Sequence, residues 1–80
     1  MSRVTYLKSA FKTLSKYDRN TQLRIVTAVD RLPQGDIKRL QANNELPLYR
    51  LRIGKYRIIY YIDNEQTIIA KIDIRGDIYK

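Results

Sequence analysis

The chain has no cysteine, no histidine and no tryptophan among its 80 residues. Without cysteine there are no disulfides and no thiolate zinc sites. Without histidine the usual general base and the commonest metal ligand are missing, so any catalysis runs on Lys, Arg, Tyr, Asp or Glu. Proline and glycine are sparse, at 2 and 3 residues, and punctuate the chain rather than filling a linker. No apolar run approaches the ~20 residues needed to cross a bilayer, and Met1 to Lys8 lacks the apolar stretch of a signal peptide. A cytoplasmic protein with no membrane partner is therefore expected. Acidic residues are scarce as well, 8 against 16 basic, for a net charge of +8. That excess suits a polyanionic partner, either nucleic acid or a strongly acidic protein.

With 44% hydrophobic residues the chain can form a core, and 80 residues make a single domain, 1–80. A domain of this size buries only about 60% of the surface its unfolded chain exposes, so a bound partner would add useful stability. The pattern predicts a short strand over Val4 to Lys8. A helix follows, capped by Ser9, with Ala10, Phe11 and Leu14 at helical spacing. Tyr17-Asp18-Arg19-Asn20-Thr21 breaks it and offers Asp18 or Asn20 as a fresh cap. A second helix carries the stripe Ile25, Val26, Val29 and Leu32 and ends at Pro33-Gln34-Gly35. The two should form an antiparallel αα-hairpin. Asp36 to Pro47 reads as a connection.

From Leu48 the periodicity becomes that of strands. Gly54-Lys55 sits where a two-residue hairpin turn belongs, and Asn64-Glu65-Gln66 reads as a three-residue second turn. The first turn places Ile53 opposite Tyr56, Leu51 opposite Ile58 and Tyr49 opposite Tyr60. The second places Ile62 opposite Ile68, Ile58 opposite Ile72 and Tyr56 opposite Ile74. One face of this three-stranded meander is then nearly all apolar, ready for the helices to cover. The other carries Arg50, Arg52, Arg57, Lys71, Asp73 and Arg75. Tyr6, Tyr17, Tyr49, Tyr56 and Tyr60 point inward, and Tyr61 outward. The fold class is thus α+β, an N-terminal strand and αα-hairpin packed on an antiparallel sheet.

Like charges such as Arg52 and Arg57 directly across two strands are destabilising. A face that needed only solubility would mix in more acid. Two readings stay open: a solvated surface with Arg57 tied to Asp73, or a groove for a polyanion. Arginine forks bind phosphate bidentately and stabilise charge developing on it. A tyrosine such as Tyr79 can stack on a base or exchange a proton, or it can simply pack near the terminus.

The hairpin Leu48-Tyr49-Arg50-Leu51-Arg52-Ile53-Gly54-Lys55-Tyr56-Arg57-Ile58-Ile59-Tyr60, followed by the ending Ile74-Arg75-Gly76-Asp77-Ile78-Tyr79, resembles the RelE/ParE superfamily of type II toxins. Ser9-Ala10-Phe11-Lys12-Thr13-Leu14 and Leu32-Pro33-Gln34-Gly35-Asp36-Ile37-Lys38-Arg39-Leu40 extend the likeness over essentially the whole chain. The resemblance implies the RelE/ParE toxin fold. It is nearest to the RelE-like messenger RNA interferases, which cleave messenger RNA in the ribosomal decoding site. It also implies attack of a 2′-hydroxyl on the adjacent phosphate, with the ribosome, messenger RNA and an antitoxin as partners. No cofactor is expected, and with no histidine or cysteine and only Asp73 as an outward carboxylate no metal is expected either. The charge of +8 suits an antitoxin that wraps the protein with an acidic segment. Carried over by position, Arg50 and Arg52 stand where relatives offer lysines, Arg57 is the arginine after the turn, and Arg75 and Tyr79 are the ending pair. Lys55 and Lys71 are expected RNA-binding side chains. Arginine stays protonated, so Arg50 and Arg52 would stabilise charge while Tyr79, Lys55 or a ribosomal group moves the proton. Two other functions remain: a ParE-like toxin that inhibits DNA gyrase without cleaving, and a non-toxic RNA- or ribosome-binding module.

Overall fold

The computed structural model describes residues 3–40 and 47–74. Its elements run β1 (Arg3–Tyr6), α1 (Lys8–Ser15), α2 (Arg19–Asp30), β2 (Asp36–Leu40), β3 (Leu48–Ile53), β4 (Tyr56–Asp63) and β5 (Gln66–Ile74). The strands form one sheet in the order β1-β5-β4-β3-β2. β1 joins β5 in parallel and every other pairing is antiparallel. The expected meander is its centre, and the fold class is α+β as anticipated.

The Gly54-Lys55 turn forms as expected, with Gly54 at φ +56°, and the β3–β4 register follows from it: Tyr49 with Tyr60, Leu51 with Ile58, Arg52 with Arg57. The second turn differs. It has two residues, Asn64 and Glu65, both at positive φ (51° and 65°), so Ile62 pairs with Thr67 rather than Ile68. A bulge at Ala70 then restores phase, and Ile58–Ile72 and Tyr56–Ile74 pair as expected. The bulge also explains Ser9. Its hydroxyl does not cap α1 but donates to the Ala70 carbonyl at 3.2 Å. The cap position falls on Leu7, which makes no side-chain cap bond. Asp18 does cap α2, accepting from the Thr21 amide at 3.0 Å.

Asp36–Leu40 is a strand, not a connection, and it lines the free edge of β3. Ile37, opposite Leu51, packs against the core, while Lys38 and Arg39 are exposed as suits an edge. The core lies between the helices and one sheet face: Ala10, Leu14, Ile25 and Val29 meet Leu51, Tyr56, Ile58, Tyr60, Ile69 and Ile72. α1 packs chiefly on β5 and α2 on β3. The Gln22 amide ties the second helix to the end of the first, donating to the carbonyls of Leu14 (3.1 Å) and Tyr17 (3.0 Å). Phe11 and Ile62, expected inward, are 59% and 52% exposed.

Candidate functional site: the open face of the sheet

Strand parity puts one set of side chains on the face the helices leave uncovered. Asp36, Arg52, Arg57 and Asp73 form a row straight across β2, β3, β4 and β5. Beside it runs the row Lys38, Arg50, Ile59 and Lys71. Beyond that the face turns apolar, with Leu40 paired to Leu48 and Tyr61 paired to Ile68. Tyr61 is half-buried there, on the outward side that its parity foretold.

The cations are not left bare. Arg57 clasps Asp73 through two parallel bonds, Nε–H to Oδ1 at 3.1 Å and Nη2–H to Oδ2 at 3.0 Å. Lys71 stands 3.9 Å from the same carboxylate. At the far side Asp36 is a looser partner, 3.4 Å from Arg50 Nη2 and 3.9 Å from Arg52 Nη1. Arg50 is the most enclosed of these three arginines, its side chain only 14% exposed, and its buried Nε–H has no hydrogen-bond acceptor among the described residues. Five cations thus meet two carboxylates, and the face stays positive. A buried unsatisfied donor of this kind costs about 1–3 kcal/mol.

Of the expected site residues, Arg50, Arg52, Arg57 and Lys71 come together here. Lys55 does not. It is exposed in the β3–β4 turn, its ammonium 5.6 Å from the centre of the Tyr56 ring on the core side. Arg75 and Tyr79 lie outside the described residues. Two members of the face, Lys38 and Asp36, escaped the sequence reading because their strand did. Burial raises the hydroxyl pKa of Tyr6, Tyr17 and Tyr60 above the ordinary value, so none of these core tyrosines is a base near neutrality. For metal binding the donor set is poor: among the described residues no three acidic side chains cluster. A cleft of about 570 Å³ opens between α2 and the end of β3, where Leu23, Arg24, Arg31 and Arg52 line it.

Comparison with known proteins gives these likenesses. A family model described as the ParE toxin of type II toxin–antitoxin systems matches residues 4–79. Toxin RelG of Mycobacterium tuberculosis is 38% identical over 66 residues, covering 71% of this chain and 76% of that protein. The RelE–RelB complex of Pyrococcus horikoshii contains a chain that superposes with a TM-score of 0.77 at 27% identity, covering 94% of this chain and 96% of that one. The RelB–RelE antitoxin–toxin complex of Methanococcus jannaschii gives 0.74 at 22% identity, covering 94% of both chains, a likeness of fold.

Proposed function

Because the chain belongs to the ParE toxin family and is a toxin of a type II toxin–antitoxin system, we propose that it is a ribosome-dependent endoribonuclease that cuts messenger RNA in the decoding site. The observation that carries this reading is the convergence of Arg50, Arg52 and Arg57 on one open face, beside an apolar and aromatic strip that suits bases. In the reaction the 2′-oxygen bonds to phosphorus and the bond to the 5′-oxygen breaks. The products are a 2′,3′-cyclic phosphate and a 5′-hydroxyl. Charge gathers on the non-bridging oxygens, and fixed guanidinium donors stabilise it there, usually the largest catalytic contribution.

The 2′-proton needs an acceptor and the leaving 5′-oxygen needs a donor. Arg50, Arg52 and Arg57 supply neither. In this proposal Tyr79, Lys55 or a ribosomal group moves the proton, and Arg75 adds a further cation for the phosphate. Lys71, 65% exposed at the rim, meets the RNA backbone, and Lys55 reaches it only by leaving the Tyr56 ring. No metal takes part: the two aspartates of the basic row, Asp36 and Asp73, already sit against arginines. The partner that silences the toxin is an acidic antitoxin that wraps it in the cytoplasm, as the charge of +8 favours.

One observation supports a second reading, gyrase inhibition without cleavage. Arg57 and Arg50 already hold carboxylates, as a structural ion-pair network would. Incubating the purified protein with programmed ribosomes and mapping the RNA ends tests cleavage directly.

A further inference from the structure

Asp73 holds an unusual place. It is fixed opposite Arg57 in the β4–β5 register and takes both hydrogen bonds that the Nε and Nη2 edge of that guanidinium can give side by side. A phosphodiester uses the same edge with the same fork geometry, and the edge serves one anion at a time. The carboxylate also lies 3.9 Å from Lys71, so it draws on a second cation of the face. Asp36, by contrast, is 57% exposed and holds its arginines at 3.4 and 3.9 Å, a contact that RNA displaces easily.

We propose that Asp73 is a resident competitor for phosphate, a carboxylate that occupies the RNA-binding edge of Arg57 and that an RNA phosphate must displace. This rests on the reading that RNA binds the open face, and it adds that the face is set below its full affinity by one of its own residues. Asp73 is a specificity-determining residue here, because only a ligand that displaces the carboxylate gains this edge of Arg57.

The test is binding of a fluorescein-labelled RNA oligonucleotide carrying 2′-O-methyl groups, which cannot be cut, followed by anisotropy with the full chain. Asp73→Asn should tighten binding about fivefold, the scale of one ion pair released. Asp73→Glu, which restores the charge, should return most of it. Asp63→Asn makes the same charge change at the far end of β4 and should give a clearly smaller gain. In an Arg57→Ala background, Asp73→Asn should give no more than Asp63→Asn does, a coupling that a merely structural pair would not show. Equal or weaker binding by Asp73→Asn, including no binding by either protein, overturns the proposal. Cleavage is scored separately on ribosomes: tighter binding with no cleavage would sink the nuclease reading and leave this one standing. Cleavage with no gain in Asp73→Asn would do the reverse.

Discussion

Replacing Arg57 with alanine removes a guanidinium at the centre of the open face, and the structure sets the scale of both consequences. For stability, the loss is a bidentate pair whose side chains are 23% and 19% exposed. That lies between a surface pair, worth ~0.2–1 kcal/mol, and a buried one, whose breakage costs ~3–5 kcal/mol. Asp73 is not orphaned, because Lys71 already stands 3.9 Å away and can close on it. A loss of about 1–2 kcal/mol follows, which for a domain of this size lowers the melting temperature by roughly 4–8 °C per kcal/mol. For cleavage, loss of one transition-state donor costs about a hundredfold or more. Arg57→Lys should recover only part of it, since lysine keeps the charge and loses the fork. The assay is single-turnover cleavage on programmed ribosomes, run well below each variant's melting temperature. Ile58→Val is the control, a core change costing about 0.5–1.5 kcal/mol that should leave cleavage intact. An Arg57→Ala protein that cuts at near wild-type rate would refute the assignment and favour the non-cleaving reading.

Three further outcomes concern the scaffold. Ile58 is fully buried at the centre of the sheet, so Ile58→Ala should cost about 2–5 kcal/mol in urea unfolding, a large share of what a domain this small possesses. Gly35 sits at φ +130°, and a Cβ there would come within 2.9 Å of Leu51 Cδ1. Gly35→Ala should therefore cost at least about 1–3 kcal/mol by the same measurement, from backbone strain alone. Asp18 has its pKa lowered by the hydrogen bonds from Thr21. Its folded-state pKa is below the unfolded one, so its contribution is present above the ordinary carboxylate value of ~3.9 and is lost as pH falls through the lower folded value. Asp18→Asn keeps a capping oxygen and should flatten that part of the acid-side decline in melting temperature.

The centre of the fold was legible because two signals agreed there. Alternation on both sides of Gly54-Lys55 fixed the register of β3 and β4, and a one-residue slip would have mixed Arg50 and Arg52 into the core. The edge was harder. Asp36–Leu40 has one side chain in contact with the core, Ile37, and an edge strand needs no more, so no alternation showed. The second turn was misjudged by one residue because Glu65 adopts a positive φ more typical of glycine or asparagine. The Ala70 bulge then hid the error by returning Ile72 and Ile74 to their expected partners. The arginines of the face followed from parity alone, and so did the pairing of Arg57 with Asp73. Parity says nothing of rotamers, and it left open that Arg57 spends its side-on edge on that carboxylate.

The central claim, that this toxin cuts messenger RNA through the arginines of its open sheet face, is tested most directly on ribosomes. Purified protein is mixed with ribosomes carrying a defined messenger RNA, with magnesium held constant, and both the cut site and the chemistry of the new ends are mapped. The account predicts a cut within the codon in the decoding site, a 2′,3′-cyclic phosphate on the upstream fragment and a 5′-hydroxyl on the downstream one, lost in Arg57→Ala and blocked by the cognate antitoxin. Intact messenger RNA at toxin excess, together with inhibition of DNA supercoiling by gyrase, would contradict it.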